Sequence, residues 1–434
     1  MGDSLSDETL EQTLKQALDQ AVGRLRETVD RALRVPYYRD SFARAGIESA
    51  EDIRSIADFQ RVPFTQKEDL RLNYPFGLFA EPLDNIVRLQ ASSGTTGKMT
   101  VVGYTANDIE LWATAMADAL RRGGVTPQDI VQVGYGYGLF TGGLGYHYGC
   151  EKLGALTIPL SSGNTERHIM FLRDMKSTVL ACTSSYALHI ADTAAEMGLG
   201  PEDFCLRMGV FGAEPWTEAM RTMITQRLGL KSALDMYGLS EIIGPGVAME
   251  CAHINGLHMA PYFYPEIVDT WGRIMPPGTQ GELVLSSMGK EAFPSVRYRT
   301  KDLTTLSYGR CACGFCGWSI SRIAGRVDDM LIIRGVNVFP SQIEEAILSV
   351  EGIEPHYLIV VDRRGALDYL EVQVEVSGEA VDGISRLEEL QQTLQQRIFR
   401  ILGLAARVRL VEPLSLPRSE GKAVRVRDMR VFDS

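Results

Sequence analysis

The chain has no apolar run approaching the roughly 18 residues that a membrane-crossing helix needs. Basic runs are missing as well, and 44 Lys and Arg against 55 Asp and Glu leave a formal net charge of −11. Binding to a phosphate backbone needs a basic face, so a nucleic-acid partner is not expected. Residues 1 to 30 form a charged helical pattern without the apolar centre of a secretory leader, and the expected location is the cytoplasm. There is no internal repeat and no low-complexity tract. The 7 cysteines are too few and too scattered for a disulfide framework in a cytosolic chain of 434 residues. A Walker A loop is also missing, since that motif requires G-x-x-x-x-G-K-[ST] at the opening of a helix.

What is present suits a large core: 45% hydrophobic and 23% charged residues. At roughly 100 to 200 residues per domain, the length allows two to four domains. Leu5, Leu10, Leu14, Leu18, Val22, Leu25, Val29 and Leu33 recur at helical spacing, with Ser6 or Asp7 as cap and Val35-Pro36 as stop. Further on, helical patterns alternate with short β-rich runs at Ile130–Val133, Leu156–Pro159, Thr178–Ala181, Met208–Phe211 and Ser232–Asp235. That alternation predicts βαβ units and a parallel sheet. Residues 251–322 change to short strands and predict an antiparallel, barrel-like part. From Asp328 onward, strands at Met330–Ile333, Leu358–Val361, Leu370–Val376 and Val408–Val411 surround helices at Ser341–Val350, with Ser341 as the expected cap and Glu344 at the third position, and Ser385–Leu402. The expectation is an α/β chain with a large domain over 1–327 and a small, mobile α+β domain over 328–434.

Between two β-rich runs lies Ser92-Ser93-Gly94-Thr95-Thr96-Gly97-Lys98. Two glycines, four hydroxyls and a lysine suit the oxygens of a polyphosphate. Tyr237-Gly238-Leu239-Ser240-Glu241 follows a predicted parallel strand, where such sheets place their ligand loops, and an exposed carboxylate there could hold a divalent cation. Arg297-Tyr298-Arg299-Thr300-Lys301-Asp302 supplies another carboxylate after a strand.

Taken in order, the hydroxyl-rich loop, Gly212-Ala213-Glu214-Pro215, Tyr237–Glu241, Tyr298–Asp302, Gly325–Asp329 with Arg334-Gly335, and Lys422 in Arg418-Ser419-Glu420-Gly421-Lys422 resemble the core motifs of the adenylate-forming, AMP-binding superfamily. Met330–Glu344 and Tyr135–Gly145 resemble its phenylacetate-CoA ligase branch. The resemblance implies a ligase that joins an aromatic acid, of the aryl-acetic type, to coenzyme A through an acyl-AMP intermediate. The alternative on the same fold is an adenylating enzyme for another aromatic acid, or one with an acceptor other than coenzyme A. It implies ATP, Mg²⁺ and coenzyme A as cofactors, no membrane partner, and a homodimer as the candidate assembly.

Carried over residue by residue, Lys422 is the catalytic cation and Ser92, Ser93, Gly94, Thr95 and Thr96 hold phosphates. Gly212, Ala213, Glu214, Asp235, Met236, Tyr237 and Gly238 frame the adenine side, and Glu241 holds Mg²⁺. Asp302 takes the ribose hydroxyls, Arg326 contacts ribose or phosphate, Asp328 is the hinge, and Arg334-Gly335 line the pantetheine tunnel. Residues 134–149 carry four tyrosines and Phe140 among many glycines, and ring faces there can stack on an aromatic acid. The candidate pocket is Tyr135, Gly136, Phe140, Gly212, Ala213 and Pro245.

Cys251, His258 with six residues between, and Cys311-Ala312-Cys313-Gly314-Phe315-Cys316 offer more thiolate and imidazole ligands than a tetrahedral structural Zn²⁺ needs. Either Cys313 or Cys316 can complete a Cys₃His set. The resemblance favours Cys251, His258, Cys311 and Cys313, with Cys316 spare. Cys150, Cys182 and Cys205 lie singly in apolar surroundings and are expected to be small buried residues.

Overall fold

The computed structural model of the chain describes residues 7–92, 99–364, 367–377, 384–418 and 422–430. Ser6, Ser93, Gly94, Thr95 and Thr96 lie outside the described residues. The first amphipathic pattern is the helix Asp7–Leu33. Its Leu25, Val29 and Ala32 are buried, and Thr28 Oγ1 donates to Ser287 O at 2.8 Å, tying the helix to a distant strand.

The parallel strands Leu156–Pro159, Ile130–Val133, Val179–Cys182, Met208–Gly212 and Ser232–Leu239 lie side by side in that order. The helices Gly142–Leu153, Thr165–Asp174, Ser184–Glu196 and Glu218–Leu228 link them. Thr183 and Thr217 accept from backbone amides to start two of these helices, and left-handed Gly154 and Gly229 end two. The sheet then continues antiparallel through Gly244–Glu250, Leu257–Met259, Cys316–Ile320, Tyr298–Arg310, Gln280–Ser287 and Phe263–Val268. With Gly325–Arg326 paired onto Tyr298–Arg310, this makes 12 strands among the described residues. The 13-residue strand Tyr298–Arg310 takes part in both ends of the antiparallel half, so that half is continuous with the parallel sheet.

A separate core follows, built on Leu331, Ile333, Val338, Ile343, Ile347, Ile359, Val372, Leu394 and Ile398. The hairpin Leu331–Ile333/Val336–Val338 turns on Arg334 (φ 50°) and Gly335 (φ 80°). A two-residue loop with both φ values positive has the sense of the type I′ turn that hairpin twist favours. The four-stranded sheet has Ile353–Arg364 antiparallel to Leu367–Val376, with Arg407–Val411 and Val426–Asp428 added in parallel at the two sides. Helices Pro340–Leu348 and Ile384–Leu402 cover it.

Two expectations are corrected. The first of these helices starts at Pro340, whose missing N–H suits the first position, and the Ser341 hydroxyl donates to Ala324 O at 3.1 Å instead of capping. Cys205 is exposed, whereas Cys150 and Cys182 are buried. Among the described residues no helix is long and apolar enough to cross a membrane.

Arg297 joins the N-terminal helical region to the antiparallel strands. Its guanidinium donates to both Glu266 carboxylate oxygens, at 2.9 and 3.1 Å, and to Val62 O at 2.8 Å, and lies 4.1 Å from the Phe64 ring centre. Both members of the pair are almost fully buried. Removing one partner of a buried ion pair leaves an uncompensated charge, which costs about 3–5 kcal/mol. Arg297→Met is therefore expected to lower the midpoint of the first urea unfolding transition by a corresponding amount, while the paired change Arg297→Met with Glu266→Leu recovers most of the loss.

Candidate active site

Parallel sheets gather ligand loops at the carboxyl ends of their strands. Here that end collects Tyr135, Gly136 and Phe140 after Ile130–Val133, Gly212-Ala213-Glu214 after Met208–Gly212, and Tyr237 to Glu241 after Ser232. A Cβ on Gly212 would stand 2.1 Å from Met236 O, so glycine is what lets these two strands approach. Ala213 then turns the chain at φ 67°.

The centre of the cleft is a chain of hydrogen bonds. Tyr237 OH donates to Asp302 Oδ2 at 2.6 Å, Arg326 donates to Asp302 Oδ1 at 2.7 Å, and Arg326 forks onto both oxygens of Asp328 at 2.9 and 3.0 Å. Burial raises the pKa of Asp302, with Arg326 pulling the other way. Burial opposes the charge on Arg326, but Asp302, Asp328 and Asp329 outweigh it and raise its pKa.

Glu241 is buried, and its Oε1 accepts from Ser92 Oγ at 3.1 Å and Thr100 Oγ1 at 3.3 Å and lies 3.4 Å from Lys67 Nζ. The carboxylate and the paired strands Arg88–Ser92 and Thr100–Tyr104, which frame the hydroxyl-rich loop, thus face each other. This set of oxygen donors fits Mg²⁺, a hard ion that takes one or two carboxylates together with waters and substrate phosphates.

Lys422 points into the same cleft from the small domain, with its ammonium 5.7 Å from the Phe140 ring centre. The residue keeps solvent contact, yet crowding of protein around the ammonium lowers its pKa. Arg326 lowers it further, while Glu214, Glu241 and Asp302 act in the opposite sense. Glu214 holds the neighbouring backbone: its Oε2 accepts from Ala423 N at 3.0 Å, and its Oε1 accepts from Ser184 Oγ at 2.8 Å and Ser185 N at 2.7 Å. A second bridge between the domains joins Asp192 and Arg227 to His356 and Glu354, with Asp192 to His356 at 2.9 Å and Arg227 to Glu354 at 3.0 Å.

In the candidate pocket the Tyr135 ring stacks on Tyr146 at 4.9 Å, Gly136 O accepts from Gly143 N at 3.2 Å, and Pro245 O accepts from Trp112 Nε1 at 2.9 Å. The structure thus brings Phe140, Glu214, Tyr237, Glu241, Asp302, Arg326, Asp328 and Lys422 around one cleft. Other candidates have different surroundings. Asp235 faces Arg322 at 3.3 Å, Met236 is buried in the core, and Gly238 packs against the Gly244 carbonyl. Arg334 donates to Ala405 O at 2.8 Å inside the small domain. Sequence reasoning missed Lys67 beside Glu241 and the Ser184-Ser185 helix start that holds Glu214. Lys67 carries no local signal, whereas Thr183-Ser184-Ser185 is a recognisable cap pattern.

The second constellation lies at Cys251, His258, Cys311 and Cys313, whose ligand atoms all fall within 4.8 Å of one another. Cys251 Sγ is 3.6 Å from Cys311 Sγ, and Cys313 Sγ is 3.4 Å from His258 Nε2. A tetrahedral zinc, with bonds of about 2.3 Å to sulfur and 2.0 Å to nitrogen, separates its ligands by about 3.8 and 3.5 Å, so these residues fit that ion. His258 Nδ1 lies 3.0 Å from Ser319 Oγ, a partner that fixes the ring with Nε2 turned to the cysteines.

The model of the AMP-binding enzyme matches residues 7–290, and that of the AMP-binding enzyme C-terminal domain matches residues 335–430. The chain belongs to the AMP-binding enzymes. It is 48% identical over 417 residues to the phenylacetate-coenzyme A ligase of Pseudomonas putida, covering 94% of this chain and 93% of that protein. It is 49% identical over 414 residues to the phenylacetate-coenzyme A ligase of Escherichia coli (strain K12), with the same shares covered. Among solved structures, 2-hydroxyisobutyryl-CoA ligase in the postadenylation state with 2-HIB-AMP superposes with a TM-score of 0.89 at 30% identity, covering 95% of this chain and 90% of that one. The same ligase in its thioesterification state, with 2-HIB-AMP and CoA, gives 0.69 at 31% identity, covering 94% and 89%. This AMP-binding enzyme therefore superposes more closely on the postadenylation state of that ligase than on its thioesterification state.

Proposed function

We propose that this AMP-binding enzyme ligates an aryl-acetic acid, phenylacetate first among them, to coenzyme A. A carboxylate oxygen attacks the α-phosphorus of ATP and the bond to pyrophosphate breaks. The coenzyme A sulfur then attacks the acyl carbon of the acyl-AMP, the bond to AMP breaks, and the thiol proton is lost. The observation that carries this reading is the meeting of Lys422 with Glu241, Asp302 and Arg326 in one cleft, in a chain nearly half identical to phenylacetate-CoA ligases along almost its whole length.

The residue roles follow from charge. Two anions must be brought together, so a preset cation is needed where negative charge develops, and Lys422 supplies it. Asp302 receives the ribose hydroxyls, Arg326 lies between ribose and phosphate, and Ser92 with Ser93, Gly94, Thr95 and Thr96 receives phosphate oxygens. Glu241 is the ligand for Mg²⁺, which when bound neutralises phosphate charge. Tyr135, Gly136, Phe140, Gly212, Ala213 and Pro245 surround the aromatic ring. Asp328, between the pairing of Gly325–Arg326 and the hairpin at Leu331, is the hinge, and 327/328 the domain boundary. Arg334 and Gly335 reach the pantetheine chain once the small domain has turned. Cys251, His258, Cys311 and Cys313 hold one structural Zn²⁺, whose four protein ligands leave no open position.

A panel of phenylacetate, hydroxyphenylacetates, indoleacetate and benzoates, assayed for coenzyme-A-dependent AMP release, tests the substrate. Phenylacetate is expected to give the highest kcat/KM, and AMP release independent of coenzyme A would sink the ligase reading. Lys422→Ala is expected to abolish pyrophosphate exchange by orders of magnitude while thioester formation from supplied acyl-AMP survives, because the lysine meets ATP only in the first arrangement. Elemental analysis is expected to find about one zinc per chain, with Cys313→Ser losing the metal and lowering the melting temperature. Folded, active protein free of zinc would rule the site out.

A further inference from the structure

Lys290 is 1% exposed, yet none of the roles above uses it. It lies in the connection between the strands Gln280–Ser287 and Tyr298–Arg310. Its ammonium donates to Ile242 O at 2.9 Å and lies between two aromatic faces, 4.9 Å from the Tyr104 ring centre and 5.2 Å from that of Phe293. Among the described residues no carboxylate forms an ion pair with it. Burial pushes its pKa down to about 8, with the charges of Asp108 and Glu241 working the other way. An apolar side chain of the same length would fill this space without desolvating a charge, so packing alone does not account for a lysine.

The carbonyl that Lys290 holds is the middle one of three. Ser295 Oγ donates to Glu241 O at 2.8 Å, Lys290 to Ile242 O at 2.9 Å, and Tyr104 OH to Ile243 O at 2.9 Å. All three donors are buried. From the other side, the amides of Ile242 and Ile243 both donate to Leu239 O, at 3.1 and 3.2 Å. Asp108 anchors the lysine's own segment by accepting from Glu291 N at 2.7 Å and Ala292 N at 3.0 Å. Three successive peptide planes beginning at Glu241 are thus fixed from behind, while the Glu241 side chain faces Ser92 and Thr100 in front.

We propose that Lys290, with Ser295 and Tyr104, is a positioning clamp for Glu241, and that Lys290 acts on the first half-reaction through its hold on the Ile242 carbonyl. Preorganised groups act only if their supports hold them within a fraction of an ångström. This inference rests on the reading that Glu241 holds the Mg²⁺ of ATP.

A double-mutant cycle on the full chain tests it. Lys290→Met, Glu241→Gln and the double variant are compared by equilibrium binding of ATP with and without Mg²⁺, by pyrophosphate exchange over a range of MgATP and by thioester formation from supplied acyl-AMP. Lys290→Met is expected to raise KM for MgATP about tenfold, to leave thioester formation within about twofold, and to add less than about twofold in the Glu241→Gln background. Ser295→Ala, which removes only a hydroxyl, is expected to move KM for MgATP in the same direction by a smaller factor, and it carries the test of the clamp if the lysine variant is insoluble. Independent losses in the double variant, equal damage to both half-reactions, or an unchanged KM in Ser295→Ala would overturn the clamp. An unchanged KM for MgATP in Glu241→Gln would overturn the magnesium reading beneath it.

Discussion

Glu214 accepts three hydrogen bonds, from the Ser184 hydroxyl, the Ser185 amide and the Ala423 amide. The first two place the carboxylate at the start of the helix Ser184–Glu196, where the free amides and the helix dipole favour a negative charge. The third joins that fixed point to the backbone beside Lys422. A lysine on a polar loop has no preferred direction of its own, because its long side chain carries about 2 kcal/mol of rotamer entropy. Fixing the adjoining peptide restricts the volume the ammonium can reach, so a carboxylate in the other domain helps to set the direction of Lys422 in this arrangement.

The cleft it enters is rich in carboxylates for a site meant to receive polyphosphate. Asp302, Asp328 and Asp329 would repel such a ligand if they stood alone. Arg326 lies among them, donating to two and pairing with the third at 3.6 Å, and so offsets part of their charge and gives the group directed donors. Lys67 answers Glu241 in the same way. Positive charge thus reaches the site as side chains already paired, and a bound nucleotide would exchange partners within the network.

Much of this was legible along the chain, and the part that was not has a common cause. The parallel strands and the small domain follow from periodicity, because their pattern is concentrated in short windows, whereas spacing left Cys313 and Cys316 open and only the resemblance chose between them. Glu241 and Lys422 stand out through the company their motifs keep. Lys290 and Lys67 could not be read this way: each meets the Glu241 loop across a long loop of chain, and nothing within a few residues of either marks it. Ser341 was misread because a serine before a helical pattern signals a cap, whereas Pro340 already supplies the first helical residue and Gln342 accepts from Phe339 N. Cys205 was misread because an apolar neighbourhood in sequence is not burial in space.

The contacts between the domains also bear on how firmly this arrangement is held. Among the described residues they include the Glu214 to Ala423 bond, the Ser341 to Ala324 bond, Arg425 against the Met220 sulfur, the Asp192–His356 and Arg227–Glu354 pairs, and Leu348 packed beside the helices that carry Asp192 and Arg227. Both ion pairs are partly exposed, and such pairs contribute about 0–1 kcal/mol each. The separate core of the small domain means that undocking exposes little of it. An interface of this kind favours one orientation by a few kcal/mol at most, and a ligand with differential affinity can reverse a preference of that size. On the proposed function, a larger apolar interface would hold Lys422 over the cleft after its half-reaction was complete and keep the second surface of the small domain away. A polar interface with few apolar contacts suits that proposal of two half-reactions at one site, since it gives contact enough to aim the lysine without holding it there.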